Sequence, residues 1–279
     1  MAKKEKSGKR KRSPVVSGIY YPDNRAILND MMASYGLKEN FPAAGGQTIL
    51  APHGAWDLTG SIAASAFASV QKNKGGPDIT RVLLLGTHHQ GGEEGIYLSE
   101  SAYFETPLGD LFVDQKLNKK LASGSANIKV NDIPHLSEHS LEVLLPLVKY
   151  CFPNALIVPI LMSGENPALI SSLAISLRAA IETYIEECLI IISSTVSQSL
   201  DPGLALTMAN EFCSLLEDTD SKAFLARLSE GRISACGGAL LGALLESGLL
   251  GAKRFSILAP LTQGKENQGE TVYYGAFGA

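Results

Sequence analysis

The stretch RVLLLGTHHQ (81–90) is a continuous apolar run that ends in a pair of histidines. Such runs are typical of strands that are covered on both faces of a sheet. Similar runs follow along the chain: TILA (48–51), ALIVPIL (155–161), CLIIISS (188–194) and RFSILA (254–259). Amphipathic segments between them predict helices at 58–72, 140–150, 167–185, 205–217, 221–229 and 237–247. The alternation of strands and helices predicts a three-layer α/β sandwich.

Shorter apolar segments extend this prediction to the whole sheet. Residues 96–98, 111–113 and 272–277 have the brevity or alternation of antiparallel or edge strands. We therefore expect a mixed, largely parallel central sheet flanked by helices. The chain has 279 residues, of which 45% are hydrophobic, enough for one large core. Residues 17–279 are predicted to form a single domain.

The N-terminal segment differs from the rest in charge. The first twelve residues hold seven Lys or Arg and one Glu, or +6, so the net charge of −4 leaves about −10 for the remainder. Residues 1–16 are predicted to be a disordered basic tail, because so polar a segment buries little apolar surface. The tail is either a solubilising arm or a contact for an anionic partner such as RNA or a membrane surface. The acidic body makes nucleic acid an unfavourable main partner.

Targeting signals are not evident in this sequence. The basic tail lacks the apolar core of a secretory signal, and no run reaches about 18 uninterrupted apolar residues. We expect a cytoplasmic protein without a membrane span. The four cysteines form no CxxC pair, and without a secretory context they are expected to be thiols.

Histidines stand at the ends of two predicted strands, where ligands collect in open α/β sheets. His53 follows TILA, and His88 and His89 follow RVLLLG. Neutral imidazole is the commonest protein ligand for iron, copper and zinc. This placement suggests a metal site, although each histidine alone is also compatible with a hydrogen-bonded structural role.

Two further segments contain candidate site residues. Cys236 directly precedes a predicted helix, where free N–H groups favour the thiolate, although a buried inert cysteine fits the sequence as well. Glu138 and His139 open another predicted helix, where an acidic residue ordinarily serves as a cap. No GxGxxG, GxxxxGK[ST] or GxSxG motif is present, which argues against a nucleotide cradle and a serine hydrolase of the α/β type.

Several of these segments resemble the Memo-like family. APHGAW (51–56) resembles APHAGY of that family, and LLLGTHHQ (83–90) resembles LGPSHH. SGIYYP (17–22), ETPLGDLFVD (105–114), EHSLEVLLP (138–146), LIVPILMSG (156–164) and ACGG (235–238) also match in order. The resemblance covers nearly all of residues 17–277. It identifies the chain as a member of the group that includes AmmeMemoRadiSam system protein B.

The resemblance implies the fold of class III extradiol dioxygenases and a pocket lined by two histidines and a cysteine. Carried onto this sequence, the pocket residues and metal ligands are His53, His88 and Cys236, with Fe, Cu or Zn as the implied metal. Gln198 stands where the family usually has the acid–base histidine, and glutamine does not exchange a proton near neutral pH. The candidate catalytic residues are Cys236, Gln198 and His139, of which Gln198 and His139 are expected to orient a small ligand.

Three functions follow from this resemblance. The first is a pocket that binds a metal or small molecule with weakened or lost dioxygenase chemistry. The second is an active non-haem, metal-dependent oxidoreductase of the extradiol type, and the third is a non-catalytic module that recruits a partner. Family association implies an AMMECR1-like protein and a radical SAM protein as partners.

Overall fold

The computed structural model describes residues 10–37, 46–71, 78–265 and 269–279. The strands in these ranges are β1 (Lys11–Arg12), β2 (Thr48–Ala51), β3 (Arg81–Thr87), β4 (Gly95–Leu98), β5 (Tyr103–Phe104), β6 (Leu111–Phe112), β7 (Ile128–Val130), β8 (Leu156–Ser163), β9 (Cys188–Ser193), β10 (Ser197–Ser199), β11 (Ser256–Lys265) and β12 (Thr271–Gly278). The α-helices are α1 (Arg25–Ser34), α2 (Trp56–Gln71), α3 (Gln115–Ala122), α4 (Ile133–Ser137), α5 (Leu145–Cys151), α6 (Pro167–Ile181), α7 (Pro202–Asp218), α8 (Ser221–Ser229) and α9 (Gly238–Ser247). Short 3-10 helices span Glu142–Leu144 and Glu182–Glu187.

The main sheet has nine strands and is mixed, as predicted. Its order is β10-β12-β2-β9-β3-β8-β4-β7, and β11 also pairs with β12. The central strands β2, β9, β3 and β8 are parallel to one another, whereas β4 runs antiparallel to β8 and β12 runs antiparallel to β2. The carboxyl ends of β2, β9 and β3 therefore meet at one edge, which positions the residues that follow them side by side.

Alternate residues of the central strands face two separate layers of helices. In β3, Leu83 and Leu85 belong to a core shared with α6, α7, α8 and α9, whereas Val82 and Leu84 belong to a core shared with α1, α2 and α5. All four side chains are fully buried. This division explains why the strands are apolar throughout, and it confirms the predicted three-layer α/β arrangement.

Proline is unusual inside a sheet because it donates no ladder hydrogen bond, yet Pro159 lies within β8. It pairs in register with Leu84 of β3. The ladder between β8 and β4 starts only one residue later, at Ile160 opposite Leu98. Pro159 therefore precedes the residues of β8 that pair with β4, so its missing N–H interrupts no pairing with that strand.

The N-terminal segment is only partly described. Residues 1–9 of the predicted tail lie outside the described residues, and residues 10–16 lie against the body rather than away from it. Lys11 and Arg12 pair with β5 in a three-stranded sheet, β1-β5-β6, and the Arg12 side chain is buried. Arg12 forms an ion pair with buried Glu142. The charge pattern did not reveal this contact, because its partner is 130 residues away.

One segment of the described chain, Pro167–Glu187, is long and apolar enough to cross a membrane by length and composition. Its α-helical part is α6, whose Leu169, Leu173 and Leu177 are buried in the core against α9 and α3. Burial of this kind is what a core helix of an α/β sandwich requires.

Candidate metal centre

Three histidines from three different segments converge beyond the ends of the parallel strands. His53 follows β2, His89 follows β3, and His139 follows α4. One ring nitrogen of each lies within 4.8 Å of one ring nitrogen of the others. The ring centroids are 5.2 Å apart for His53 and His89, 5.5 Å for His53 and His139, and 5.2 Å for His89 and His139. This spacing matches a group of imidazoles that surround one point.

Ser193, at the end of β9, determines which nitrogen of His53 faces that point. Ser193 Oγ lies 2.8 Å from His53 Nδ1 and 2.6 Å from the main-chain oxygen of Ser140. A hydroxyl has one proton, and the carbonyl of Ser140 can only accept, so Ser193 donates to it and accepts from His53 Nδ1–H. The neutral ring then has its free lone pair on Nε2, the tautomer that metal ligation at Nε2 requires.

Glu138 lies beside Nδ1 of the other two rings, through a hydrogen bond to His89 and a close contact with His139. Its Oε1 lies 3.0 Å from His89 Nδ1 and 3.2 Å from His139 Nδ1. The carboxylate also accepts from the main-chain N–H groups of His89, His139 and Ser140, at 2.6, 3.0 and 2.8 Å. Each of the three histidines thus has an oxygen partner beside Nδ1, which leaves Nε2 without such a partner.

Cys236 lies beside this cluster, two residues before α9, the helix predicted there from the sequence. Its Sγ is 3.9 Å from His53 Nε2 and accepts from the main-chain N–H of Thr195 at 3.1 Å. The next residue, Gly237, packs so closely on the end of β9 that an added Cβ would lie 2.7 Å from Ser194 Cβ. A side chain at position 237 would force the chain beside Cys236 and the end of β9 apart, so this close approach requires glycine.

The ionisable groups of the cluster shift one another's pKa values. Burial opposes ionisation of Cys236, but the neighbouring His53 and His89 and the Thr195 N–H outweigh it and hold the pKa of the thiol well below its usual value. Burial likewise opposes protonation of His89, yet Cys236 and Glu138 raise its pKa to about 10. The pKa of Glu138 falls to about 2, because hydrogen bonds and the charge of His89 outweigh burial. The directions of these shifts favour a thiolate on Cys236, an imidazolium on His89 and a carboxylate on Glu138.

His139 differs from His89 in this respect. Burial and the charges of His53 and His89 lower its pKa to about 4, against a smaller opposing effect of Glu138. The edge of its ring also contacts Tyr20, with ring centroids 5.1 Å apart. At neutral pH this imidazole is uncharged and is available as a ligand or as a proton acceptor.

The sequence prediction and the structure differ at the two adjacent histidines that follow β3. His89 lies in the cluster, whereas the predicted ligand His88 lines a neighbouring cavity of about 340 Å³ with Gln90, Tyr97 and Asn131. Side chains alternate in an extended chain, and Thr87 Oγ1 already points toward Cys236, donating to its main-chain oxygen at 2.5 Å. This alternation turns His88 away from Cys236, whereas His89 lies in the turn that follows β3, so the apolar pattern of the strand does not fix the direction of its side chain.

The remaining predicted residues divide in two groups. The structure brings His53, His139 and Cys236 together, as described above. Gln198 lies in β10, opposite Val272 of β12, and its hydrogen bonds are made by its main-chain N and O with Ser234 Oγ. Glu138 and Ser193 were not predicted as site residues. A carboxylate directly before a histidine was read as a helix cap, although it lies at the C-terminal end of α4 rather than at the start of a helix.

The donor set can be tested against metal chemistry from these residues alone. Three imidazoles and one thiolate are nitrogen and sulfur donors of the kind that zinc, copper and iron accept, whereas magnesium and calcium prefer oxygen. Partner oxygens beside each Nδ1 are the outer contacts typical of ligating histidines. The residues therefore fit a transition metal ion.

Comparison with known proteins identifies relatives along nearly the whole chain. Residues 12–276 match the family described as Memo-like protein. A MEMO1 family protein of Desulfurococcus amylolyticus is 30% identical over 66% of this chain and 68% of its own length. MEMO1 family proteins of Metallosphaera sedula and Nitrosopumilus maritimus are 27% and 25% identical, and the matches cover 81% and 96% of this chain and 83% and 98% of theirs.

Proposed function

Because this chain belongs to the Memo-like protein family, we propose that it is a transition-metal-binding protein whose ligands come from His53, His89, His139 and Cys236. The observation that carries the proposal is the convergence of three imidazoles whose ring nitrogens lie within 4.8 Å. Oxygen partners beside each Nδ1 leave the Nε2 atoms for the ion, and Cys236 adds a sulfur donor.

The ion would be Fe, Cu or Zn, because these accept imidazole together with thiolate. Bound there, such an ion supplies a Lewis acid or, for Fe and Cu, a redox centre. The residues around it contribute orientation and charge: Ser193 and Glu138 orient the rings, and Thr195 N–H stabilises the thiolate. His139 is uncharged at neutral pH, which leaves its Nε2 lone pair for the ion.

Binding with weak or absent turnover is favoured over extradiol cleavage, which needs an acid–base group that Gln198 does not supply. A relation to class III extradiol dioxygenases remains part of the proposal. Oxygen consumption by the iron-loaded protein with a panel of catechols tests for extradiol cleavage. Turnover of a catechol would favour the oxidoreductase over the binding protein.

The direct test compares two adjacent substitutions, His89→Ala and His88→Ala. His89→Ala is expected to weaken metal binding by more than about 100-fold, beyond the effect that outer-contact changes usually have. His88→Ala is the matched control, since it removes the same group from the next residue, and it is expected to change affinity less than about threefold. Isothermal titration of metal-free protein with Zn²⁺, and with Cu⁺ under anaerobic conditions, measures both.

The outcomes separate the two candidate ligand sets. A loss of affinity only in His88→Ala would restore His88 as the ligand in place of His89. Unchanged affinity in both variants, or a wild type that binds no metal, would reject the proposed site. Thermal unfolding of each variant without metal controls for loss of fold.

Cellular context is the final part of the proposal. We place the protein in the cytoplasm, treat residues 17–279 together with the docked strand β1 as one domain, and propose an AMMECR1-like protein and a radical SAM protein as partners. Small ligands or the ion itself, rather than nucleic acid, are the expected occupants of the pocket. Co-purification of tagged full-length protein checks the partners, and recovery of neither would remove them from the proposal.

A further inference from the structure

We infer that Glu138 is a positioning residue that orients two metal ligands at once, holding His89 and His139 with their Nδ1 atoms toward its carboxylate and their Nε2 atoms toward the ion. This inference deepens the proposed function and rests on it for the metal. Glu138 itself lies outside the proposed ligand set, because its oxygens face the Nδ1 side of the rings.

The first support is the number of groups that share one carboxylate. Glu138 is 2% exposed, and its oxygens contact three main-chain N–H groups and two imidazole Nδ1 atoms. The N–H groups of His139 and Ser140 lie next to Glu138 in sequence and fit a local turn. The two contacts between Glu138 and His89 join residues that are 49 positions apart in the sequence, so a local turn does not explain them.

The second support is the direction of each hydrogen bond. An ionised carboxylate only accepts, so a ring nitrogen that bonds to it must carry the proton. The proton is thereby fixed on Nδ1 of His89, in the neutral ring and in the imidazolium alike. His139 Nδ1 lies 3.2 Å from the same Oε1, which favours the same tautomer there.

The third support is that Glu138 is itself fixed from its main-chain side. Arg12 Nη2 donates to the Glu138 carbonyl at 2.9 Å, and Arg12 Nε donates to the carbonyl of His135 at 3.0 Å. The segment that carries Glu138 and His139 is thus held against β1 by a buried guanidinium. A carboxylate on a segment fixed in this way can set ring orientation before an ion arrives.

The experiment uses Glu138→Gln, which preserves size but replaces the acceptor-only group with an amide. Glu142→Gln is the matched control: Glu142 is another buried carboxylate four residues on, whose hydrogen bonds go to Arg12, Val15, Val16 and Tyr21 and to no histidine. In full-length, metal-free protein, the ¹⁵N shifts of the histidine rings report which nitrogen carries the proton. Zn²⁺ titration then measures affinity.

Wild type is expected to show a protonated Nδ1 in both His89 and His139. Glu138→Gln is expected to shift the ring ¹⁵N signals of both residues and to weaken Zn²⁺ binding about 10- to 100-fold, the usual effect of losing an outer contact. Glu142→Gln is expected to lower thermal stability while leaving these ring signals in place.

Two results would overturn the inference. One is an unprotonated Nδ1 in His89 or His139 of the wild type. This result does not depend on whether any variant folds. The other is unchanged ring signals and affinity in a folded Glu138→Gln protein. If wild type shows the expected ring protonation yet binds no metal, the orienting role stands and the proposed metal function fails.

Discussion

At the scale of single residues, His135 is the histidine whose environment most clearly links stability to pH. It is fully buried, its Nε2–H donates to the Tyr97 carbonyl, with 3.1 Å between Nε2 and O, and its ring edge contacts Phe104. Burial lowers its pKa from 6.5 to about 4, and the charges of Arg12 and His88 add to this against Tyr97 and Asp132. The folded protein therefore binds this proton less well than the unfolded chain.

The sign of the pH dependence follows directly. Between pH 6.5 and 4 the unfolded state holds more protons at this site, so the free energy of unfolding falls as the pH falls. The difference between the two pKa values corresponds to roughly 3 kcal/mol, all of it present above pH 6.5. Urea denaturation at a series of pH values from 7 to 4 measures this loss.

His135→Gln is the control, because glutamine can donate to the Tyr97 carbonyl but does not titrate. Between pH 7 and 4, the free energy of unfolding of this variant should fall by roughly 3 kcal/mol less than that of the wild type. Identical slopes for the two proteins would show that His135 does not lose its proton on folding. Titration of His139 and Glu138 continues in both proteins and cancels in the comparison.

The sequence predicts a residue of the candidate site where that residue follows a strand or precedes a helix. His53 and Cys236 are predicted in this way, and the structure places Cys236 Sγ 3.9 Å from His53 Nε2. The choice between His88 and His89 depends on the phase of β3 beyond its last paired residue, which apolar patterning does not encode. Glu138 and Ser193 were missed, since their role depends on contacts 49 and 140 residues away in the chain.

At the scale of elements, the two-residue strand β1 contributes more than its length suggests. Arg12 pairs with Glu142 in the interior and also binds the carbonyls of His135 and Glu138. Removing one member of a buried ion pair leaves the other charge uncompensated and typically costs about 3–5 kcal/mol. Arg12→Met is therefore expected to lower the free energy of unfolding by that amount, measured by urea denaturation at pH 7.

Arg10→Met is the matched control for this experiment. Arg10 forms an ion pair with Glu100 in which both side chains are exposed, at 69% and 40%. Exposed pairs contribute about 0–1 kcal/mol, so this variant should be nearly as stable as the wild type. An equal effect of the two substitutions would contradict the role assigned to Arg12.

The long elements were predicted well because their patterns are local. The apolar runs gave β2, β3, β8 and β9, and the amphipathic segments gave α6, α7, α8 and α9 within a few residues of their observed ends. The short strands β1, β5, β7 and β10 and the helices α3 and α4 were not predicted. Strands of two or three residues have too little sequence for a period to appear, and they form because a neighbouring strand supplies hydrogen bonds.

At the scale of the whole molecule, the site follows from the order of strands in the sheet. The parallel strands β2, β9 and β3 are neighbours, so the residues after them are brought to one edge although they are far apart in sequence. His139 and Cys236 come from segments that pack over that edge from the two sides. Alternation of strand and helix predicted such an edge, whereas the strand order that joins these particular segments became visible only in the folded chain.

The most direct test of the account is anomalous diffraction from crystals of the full-length protein loaded with Zn²⁺. The account predicts one anomalous peak among the Nε2 atoms of His53, His89 and His139, beside Cys236 Sγ, with His88 facing the neighbouring cavity. A zinc ion bound by His88 in place of His89, or no anomalous peak at this edge of the sheet in fully zinc-loaded protein, would contradict the account.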